Sequence, residues 1–246
     1  MMETFTWDID VTNHISQYTW VWITSGILYM PLVQAIEYYS SNWKHNKRII
    51  VKTRLVWFFW NVMLSAFSAL GCFYTFSHAK QLIIGDNQTC VFTDSSNKDG
   101  VAGQWHMFFC TSKVIELGDT IFLAILSKPI QFLHWYHHIL TLFSCYLLLI
   151  DFRPYTSMGM FVNFGVHAMM YMYYALSSVN IRVPNSIAKS ITTIQTSQMI
   201  TMAWYSIHSI YRCGYTHALF ATLVMYMLYL VMFVQFFVKK YSKKHN

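Results

Sequence analysis

Apolar stretches long enough to cross a ~30 Å hydrocarbon core recur along the chain and alternate with short polar connections. They predict membrane-spanning helices over Tyr18–Tyr39, Leu55–Ser77, Trp105–Leu126, Phe132–Ile150, Tyr155–Val179, Ser186–Ser209 and His217–Val238. Only Asp151, Phe152, Arg153 and Pro154 separate the fourth stretch from the fifth. The expected fold is all-α and polytopic, with seven transmembrane helices in one membrane domain over residues 1–246. No internal repeat or low-complexity linker divides it. Residues 1–17 carry neither the basic n-region nor the cleavage site of a removable signal peptide, and residues 239–246 form a basic tail.

Composition agrees with lipid as the solvent. Charged residues are 11% of the chain, against the about 25% of soluble domains, and 55% of positions are hydrophobic. The formal charge of +7 does not form the basic face that nucleic-acid binding requires; it follows the loops and sets orientation instead. Lys44, Lys47, Arg48, Lys52 and Arg54 fill the first loop, Lys128, Arg182 and Lys189 the third and fifth, and Lys239, Lys240, Lys243 and Lys244 the tail. These alternate connections share one side, the cytosol. Lys80, Lys98, Arg153 and Arg212 lie opposite, diluted by Asp86, Asp94, Asp99 and Asp151. The N-terminus is thus expected in a lumen and the C-terminus in the cytosol.

Three details fit that orientation. Asn87-Gln88-Thr89 is an N-glycosylation acceptor in a lumenal loop. Cys90 and Cys213 both fall in lumenal loops, where an oxidising compartment permits a disulfide, two free thiols being the alternative. The terminal Lys243-Lys244-His245-Asn246 resembles a cytosolic dilysine signal of endoplasmic reticulum residents.

Polar side chains at membrane depth are costly and turn toward protein or a water-filled cavity. In the third stretch Lys113, Glu116 and Thr120 are spaced to share a helical face, with Asp119 beside them. A Lys–Glu pair that only fixes helix packing is the plainer explanation for any one of them. In the fifth stretch Asn163, His167, Tyr171, Tyr174 and Ser178 form a stripe, and in the sixth Thr192, Gln195 and Gln198 do the same. A lone histidine or glutamine in such a helix is often a satisfied packing residue. Stripes on three helices describe a bundle around a polar chamber.

The densest cluster is "HWYHH", residues 134–138, whose His134, His137 and His138 fall on one helical face. Imidazoles at this spacing can ligate a metal, or act as base or nucleophile, because the neutral ring is abundant near pH 7. A di-iron oxygenase needs several separate histidine boxes, whereas most other histidines here are isolated.

"KVIELGDTIFLAILSKPIQFLHWYHH" (113–138) resembles the signature of the very-long-chain fatty acid elongases, the ELO family of 3-oxoacyl-CoA synthases. "NFGVHAMMYMYYALSS" (163–178) and "TTIQTSQM" (192–199) resemble two further motifs of that family, in the same order. HWYHH looks most like the members that extend saturated and monounsaturated chains. Ser127 departs from the pattern, since many members have arginine there.

The resemblance implies a seven-span fold with six helices in an inverted barrel around an acyl tunnel. It implies condensation of a long-chain acyl-CoA with malonyl-CoA to a 3-oxoacyl-CoA two carbons longer, with release of CoA and CO₂. No cofactor or metal is implied. By motif position His137 would take the acyl group and His167 would lie opposite. His134 and His138 would orient His137, and Asn163 would help hold enolate charge. Lys113, Glu116, Asp119, Tyr171, Gln195 and Gln198 would support the chamber, and Lys128, Tyr174, Arg182 and Lys189 would receive CoA phosphates. Partners would be the two CoA substrates, membrane lipid, and the reductases and dehydratase that process the product; a homo-oligomer is compatible with the sequence. The competing expectations are a di-iron lipid desaturase or hydroxylase, and a seven-helix transporter.

Overall fold

The computed structural model describes residues 7–40, 42–43, 46–84, 100–150 and 154–241. Among these residues the regular elements are all helices: α1 (Trp7–Ser40), α2 (Lys47–Ile84), α3 (Gly100–Glu116), α4 (Gly118–Ile125), α5 (Phe132–Ile150), α6 (Pro154–Ser178), α7 (Asn185–Cys213) and α8 (His217–Tyr241). Among the described residues four stretches are long and apolar enough to cross a membrane: Gln17–Ser40 in α1, Lys47–Lys80 in α2, α5 and α8. Large apolar side chains on these helices face outward, Phe73 and Phe59 among them, as expected where lipid rather than water is the solvent.

The apolar pattern places α5 at its expected bounds, while α1 and α2 continue beyond their apolar stretches. The third stretch differs in kind. Where one helix was expected over Trp105–Leu126, the chain forms α3 and α4, which meet at Leu117. Leu117 keeps right-handed helical dihedrals, φ −56° and ψ −26°, so the interruption lies in the hydrogen bonding, and the glycine after it serves packing. A Cβ on Gly118 would lie 2.7 Å from the Trp60 ring, so the bare glycine lets the indole rest against the first turn of α4. Trp60 Nε1 then donates to Asp119 Oδ1 at 2.7 Å.

Helix ends follow local chemistry. Asn46 Oδ1 accepts from the backbone N–H of Arg48 and Ile49 at the start of α2, and Thr216 Oγ1 from that of Leu219 at the start of α8, both N-caps. After α4, Ser127 takes a positive φ of 50°, its N–H reaching Ala124 O while that of Lys128 reaches Leu123 O. After α6, Asn180 at φ 61° does the same with Ser177 and Ile181 with Leu176. Both are left-handed stops that satisfy the last carbonyls.

Two compact units form, Met1–Trp60 with Asp94–Phe152, and Asn61–Thr93 with Arg153–Asn246. In the first, α1 packs on α3, α4 and α5, and α3 packs on α5. Its core includes Tyr29, Val33, Cys110, Leu142 and Leu149. In the second, α7 packs on α6 and α8, and the C-terminal half of α2 meets α6. Ser65 Oγ donates to Ala168 O at 2.8 Å, and Ala79 joins Met158 and Met202 in a small apolar cluster.

Phe164 fills the space left by Gly71, where a Cβ would lie 2.6 Å from the ring. Gly71→Ala should therefore destabilise by about 1–3 kcal/mol through overpacking. At Gly165 a Cβ would meet only Cys72 Sγ at 3.5 Å, so Gly165→Ala should be neutral or stabilising by up to about 1 kcal/mol. Thermal unfolding in detergent compares the two; equal effects would contradict this packing.

Candidate active site

In the first unit α5 presents the histidine cluster. Its first turn is closed by the His134 N–H on Gln131 O at 3.0 Å, so His134, His137 and His138 rise on one face, as their spacing predicts. The rings are in contact: His134 and His138 have centroids 4.6 Å apart, and His137 and His138 5.6 Å apart. His138 is buried and the other two are half-buried. His134 Nε2 lies 2.9 Å from Thr120 Oγ1 on α4, and Thr120 Oγ1 is hydrogen-bonded to the Tyr29 hydroxyl on α1.

The acidic and basic groups of the third stretch sit on both sides of its break. At the end of α3, Lys113 Nζ lies 2.8 Å from Glu116 Oε1, and the same oxygen accepts from Ser112 Oγ at 2.9 Å. The ammonium also stands 4.3 Å from the Phe109 ring centroid, a cation–π contact. Asp119 and Thr120 are buried on α4. The expected single stripe is thus two short groups: a Lys–Glu–Ser cluster on α3, and an Asp–Thr pair on α4 whose partners include Trp60, Tyr29 and His134.

In the second unit α6 carries a ladder of polar side chains. Asn163 Nδ2 lies 3.3 Å from His167 Nε2, one turn on. The His167 and Tyr171 rings meet edge to face at 5.5 Å, and Tyr171 and Tyr174 follow at 6.4 Å. From α7, Gln195 Nε2 reaches Met170 Sδ at 3.1 Å. Gln198 is buried, and Thr192 donates to its own helix at Ala188 O. Two of the expected sixth-stretch residues are therefore turned inward, while Gln195 is half-buried.

The basic residues expected to meet phosphate are spread over both units. Lys128, half-buried in the turn before α5, lies with Nζ 4.5 Å from the Trp57 ring centroid. Burial, and then the nearby Arg54 charge, holds its pKa below the usual lysine value. In the second unit Arg182 and Lys189 are exposed and Tyr174 is half-buried. Ser127 Oγ lies 3.3 Å from Ser40 Oγ.

Cys213 is disulfide-bonded, whereas Cys72, Cys110 and Cys145 are free thiols. Asn87, Cys90 and the tail residues Lys243 and Lys244 lie outside the described residues. Among the described residues no three or more His, Cys, Asp or Glu side chains converge as a metal-binding group.

Tyr29 and Trp60 had no signature in the sequence. Tyr29 stands in an aromatic-rich stretch where tyrosines read as interfacial anchors, and Trp60 meets Asp119 across 59 positions. Neither pairing leaves a local pattern.

Residues 14–246 match the ELO family, described as GNS1/SUR4. Among similar curated proteins, Long chain fatty acid elongase 1 of Caenorhabditis elegans is 35% identical over 90% of this chain and 78% of its own length. Very long chain fatty acid elongase 3 of Homo sapiens is 33% identical, over 90% of this chain and 84% of its own. Very long chain fatty acid elongase 6 of Drosophila melanogaster is 30% identical, over 92% and 73%.

Proposed function

Because the chain belongs to the ELO (GNS1/SUR4) family, we propose that it is a fatty acid elongase that condenses a long-chain acyl-CoA with malonyl-CoA. The observation that supports this reading is the contiguous imidazole cluster on α5, within the stretch that resembles the family signature.

The reaction divides into two steps. A neutral His137 ring nitrogen attacks the acyl thioester carbonyl, the C–S bond breaks, and CoA leaves as thiolate, taking up the proton that the acylated ring gives up. Malonyl-CoA then loses CO₂, and its electron pair passes into the thioester as an enolate. The enolate carbon attacks the acyl-imidazole, the N–acyl bond breaks, and the departing His137 imidazolate takes a proton from water, which restores the neutral ring and leaves a 3-oxoacyl-CoA two carbons longer. Nucleophilic catalysis of this kind replaces one difficult step by two easier ones.

The enolate oxygen needs fixed donors, a role we give to Asn163 and His167. His134 and His138 orient His137. Lys113, Glu116 and Asp119, with Tyr171, Gln195 and Gln198, hold the polar chamber together. Lys128, Tyr174, Arg182 and Lys189 receive the CoA phosphates. Each buried CH₂ of an acyl chain is worth ~0.8 kcal/mol, so an apolar tunnel suits a long substrate. The proposal includes seven spans with six in an inverted barrel, a saturated or monounsaturated substrate, and endoplasmic reticulum residence with the N-terminus lumenal. It also includes a Cys90–Cys213 disulfide, supported by the free state of the other three cysteines; a non-reduced peptide map with Cys90 unpaired would refute that bond. The di-iron and transporter alternatives are not favoured by the family assignment.

The test is incubation of purified protein with labelled malonyl-CoA and a panel of acyl-CoAs. A labelled 3-oxoacyl-CoA two carbons longer than its primer is expected from at least one of them. No extended product from any primer would sink the reading.

A further inference from the structure

The family motifs account for the three histidines but not for the contact that holds the first of them. Tyr29 on α1, Thr120 on α4 and His134 on α5 form a continuous hydrogen-bonded line. Tyr29 and Thr120 are both buried, at 3% and 0% exposure, so no water competes for either hydroxyl. We infer that Tyr29 and Thr120 are positioning residues that fix the tautomer and orientation of His134, and through it the edge-to-face imidazoles that end at His137. This inference rests on the elongase reading only for its catalytic consequence, not for the tautomer itself.

The direction of the line follows from donor strength. A phenol, with an ordinary pKa of about 10, is a better donor than an aliphatic hydroxyl. Tyr29 O–H therefore donates to Thr120 Oγ1. The single threonine proton is then directed at the remaining neighbour, His134 Nε2, which accepts it. An imidazole that accepts at Nε2 carries its proton on Nδ1. His134 is thus held as one neutral tautomer in one ring orientation, and its ring meets His138, which in turn meets His137. Three helices converge on this line, so the hydroxyl pair also fixes α1 and α4 against the start of α5. A purely structural role would use that second property alone, and the two are separable.

The test uses the full-length protein labelled with ¹⁵N-histidine, with the His134 signals assigned by their loss in His134→Gln. Wild type should show a protonated Nδ1 and an unprotonated, hydrogen-bonded Nε2. Thr120→Val keeps the shape and removes the hydroxyl, and should turn the His134 signals into a mixture of tautomers. Thr120→Ser keeps the hydroxyl and should retain the wild-type pattern. Tyr29→Phe removes only the far donor and should give an intermediate mixture, which covers the case in which the valine variant does not fold. In parallel, the single-turnover rate of acyl-adduct formation should fall about tenfold in Thr120→Val, the size of one buried hydrogen bond. It should stay within about threefold of wild type in Thr120→Ser. An unchanged His134 tautomer in both Thr120→Val and Tyr29→Phe would overturn the inference, as would a serine variant as impaired as the valine one. A wild-type protein with the expected tautomer but no acyl adduct would overturn the elongase chemistry and leave the relay standing.

Discussion

Replacing His137 by alanine should abolish both formation of an acylated protein and synthesis of the extended product. The expected loss in turnover is at least about 10³-fold, the scale seen when a covalent nucleophile is removed. The cluster sits on a regular helix with its rings in mutual contact, so truncating the half-buried His137 leaves the backbone and the His134–His138 contact in place. The variant should stay folded, with unfolding within a few degrees of wild type. Neighbouring imidazoles cannot substitute, because His138 is buried and His134 is engaged by Thr120. His167→Ala should behave differently: acylation should persist while condensation slows, because the proposed role of His167 and its neighbour Asn163 lies in the second step. Single-turnover assays that read adduct and extended product separately resolve the two variants. If His137→Ala retained the adduct, another residue would be the nucleophile.

The second large effect concerns the buried ion pair of α3. The Lys113 and Glu116 side chains are 4% and 5% exposed, so neither charge can recover solvation when its partner is removed. Lys113→Ala removes the ammonium from a carboxylate that Ser112 also donates to; Glu116→Ala removes the carboxylate from an ammonium that also stands over the Phe109 ring. Each should cost ~3–5 kcal/mol. The pair itself is not a large source of stability, because bringing both charges out of water is expensive in the first place. Lys113→Met combined with Glu116→Gln should therefore return to within about 1 kcal/mol of wild type. Thermal denaturation in detergent measures all three. Additive losses in the double variant would show that the two side chains do not form a pair in the membrane-embedded protein.

Both of these expectations are legible in the sequence. The spacing of Lys113 and Glu116 puts them within reach on any helix, and their pairing follows from burial alone. The HWYHH face is legible for the same reason: a one-turn relation depends on helix geometry and on nothing remote. The α5 boundaries are legible too, because the apolar run is bounded by Pro129 and by Asp151. What fails is whatever depends on a residue far along the chain. A glycine inside a helical pattern is usually tolerated, so Gly118 does not announce the close contact of the Trp60 indole with the start of α4. Asp119 looks like a third member of the Lys113–Glu116 group until the indole N–H of Trp60 is seen to bind it. Thr120 reads as a stripe residue, and only the convergence of α1 and α5 shows what its hydroxyl joins.

The proposed reaction is tested most directly by the intact mass of the purified protein after exposure to a long-chain acyl-CoA in the absence of malonyl-CoA. The expected result is stoichiometric release of free CoA and a mass increase of one acyl group, located by fragmentation on His137 and discharged when malonyl-CoA is added. A protein that stays unmodified until malonyl-CoA is present, or that carries the acyl group on Cys110 or Cys145, would contradict it.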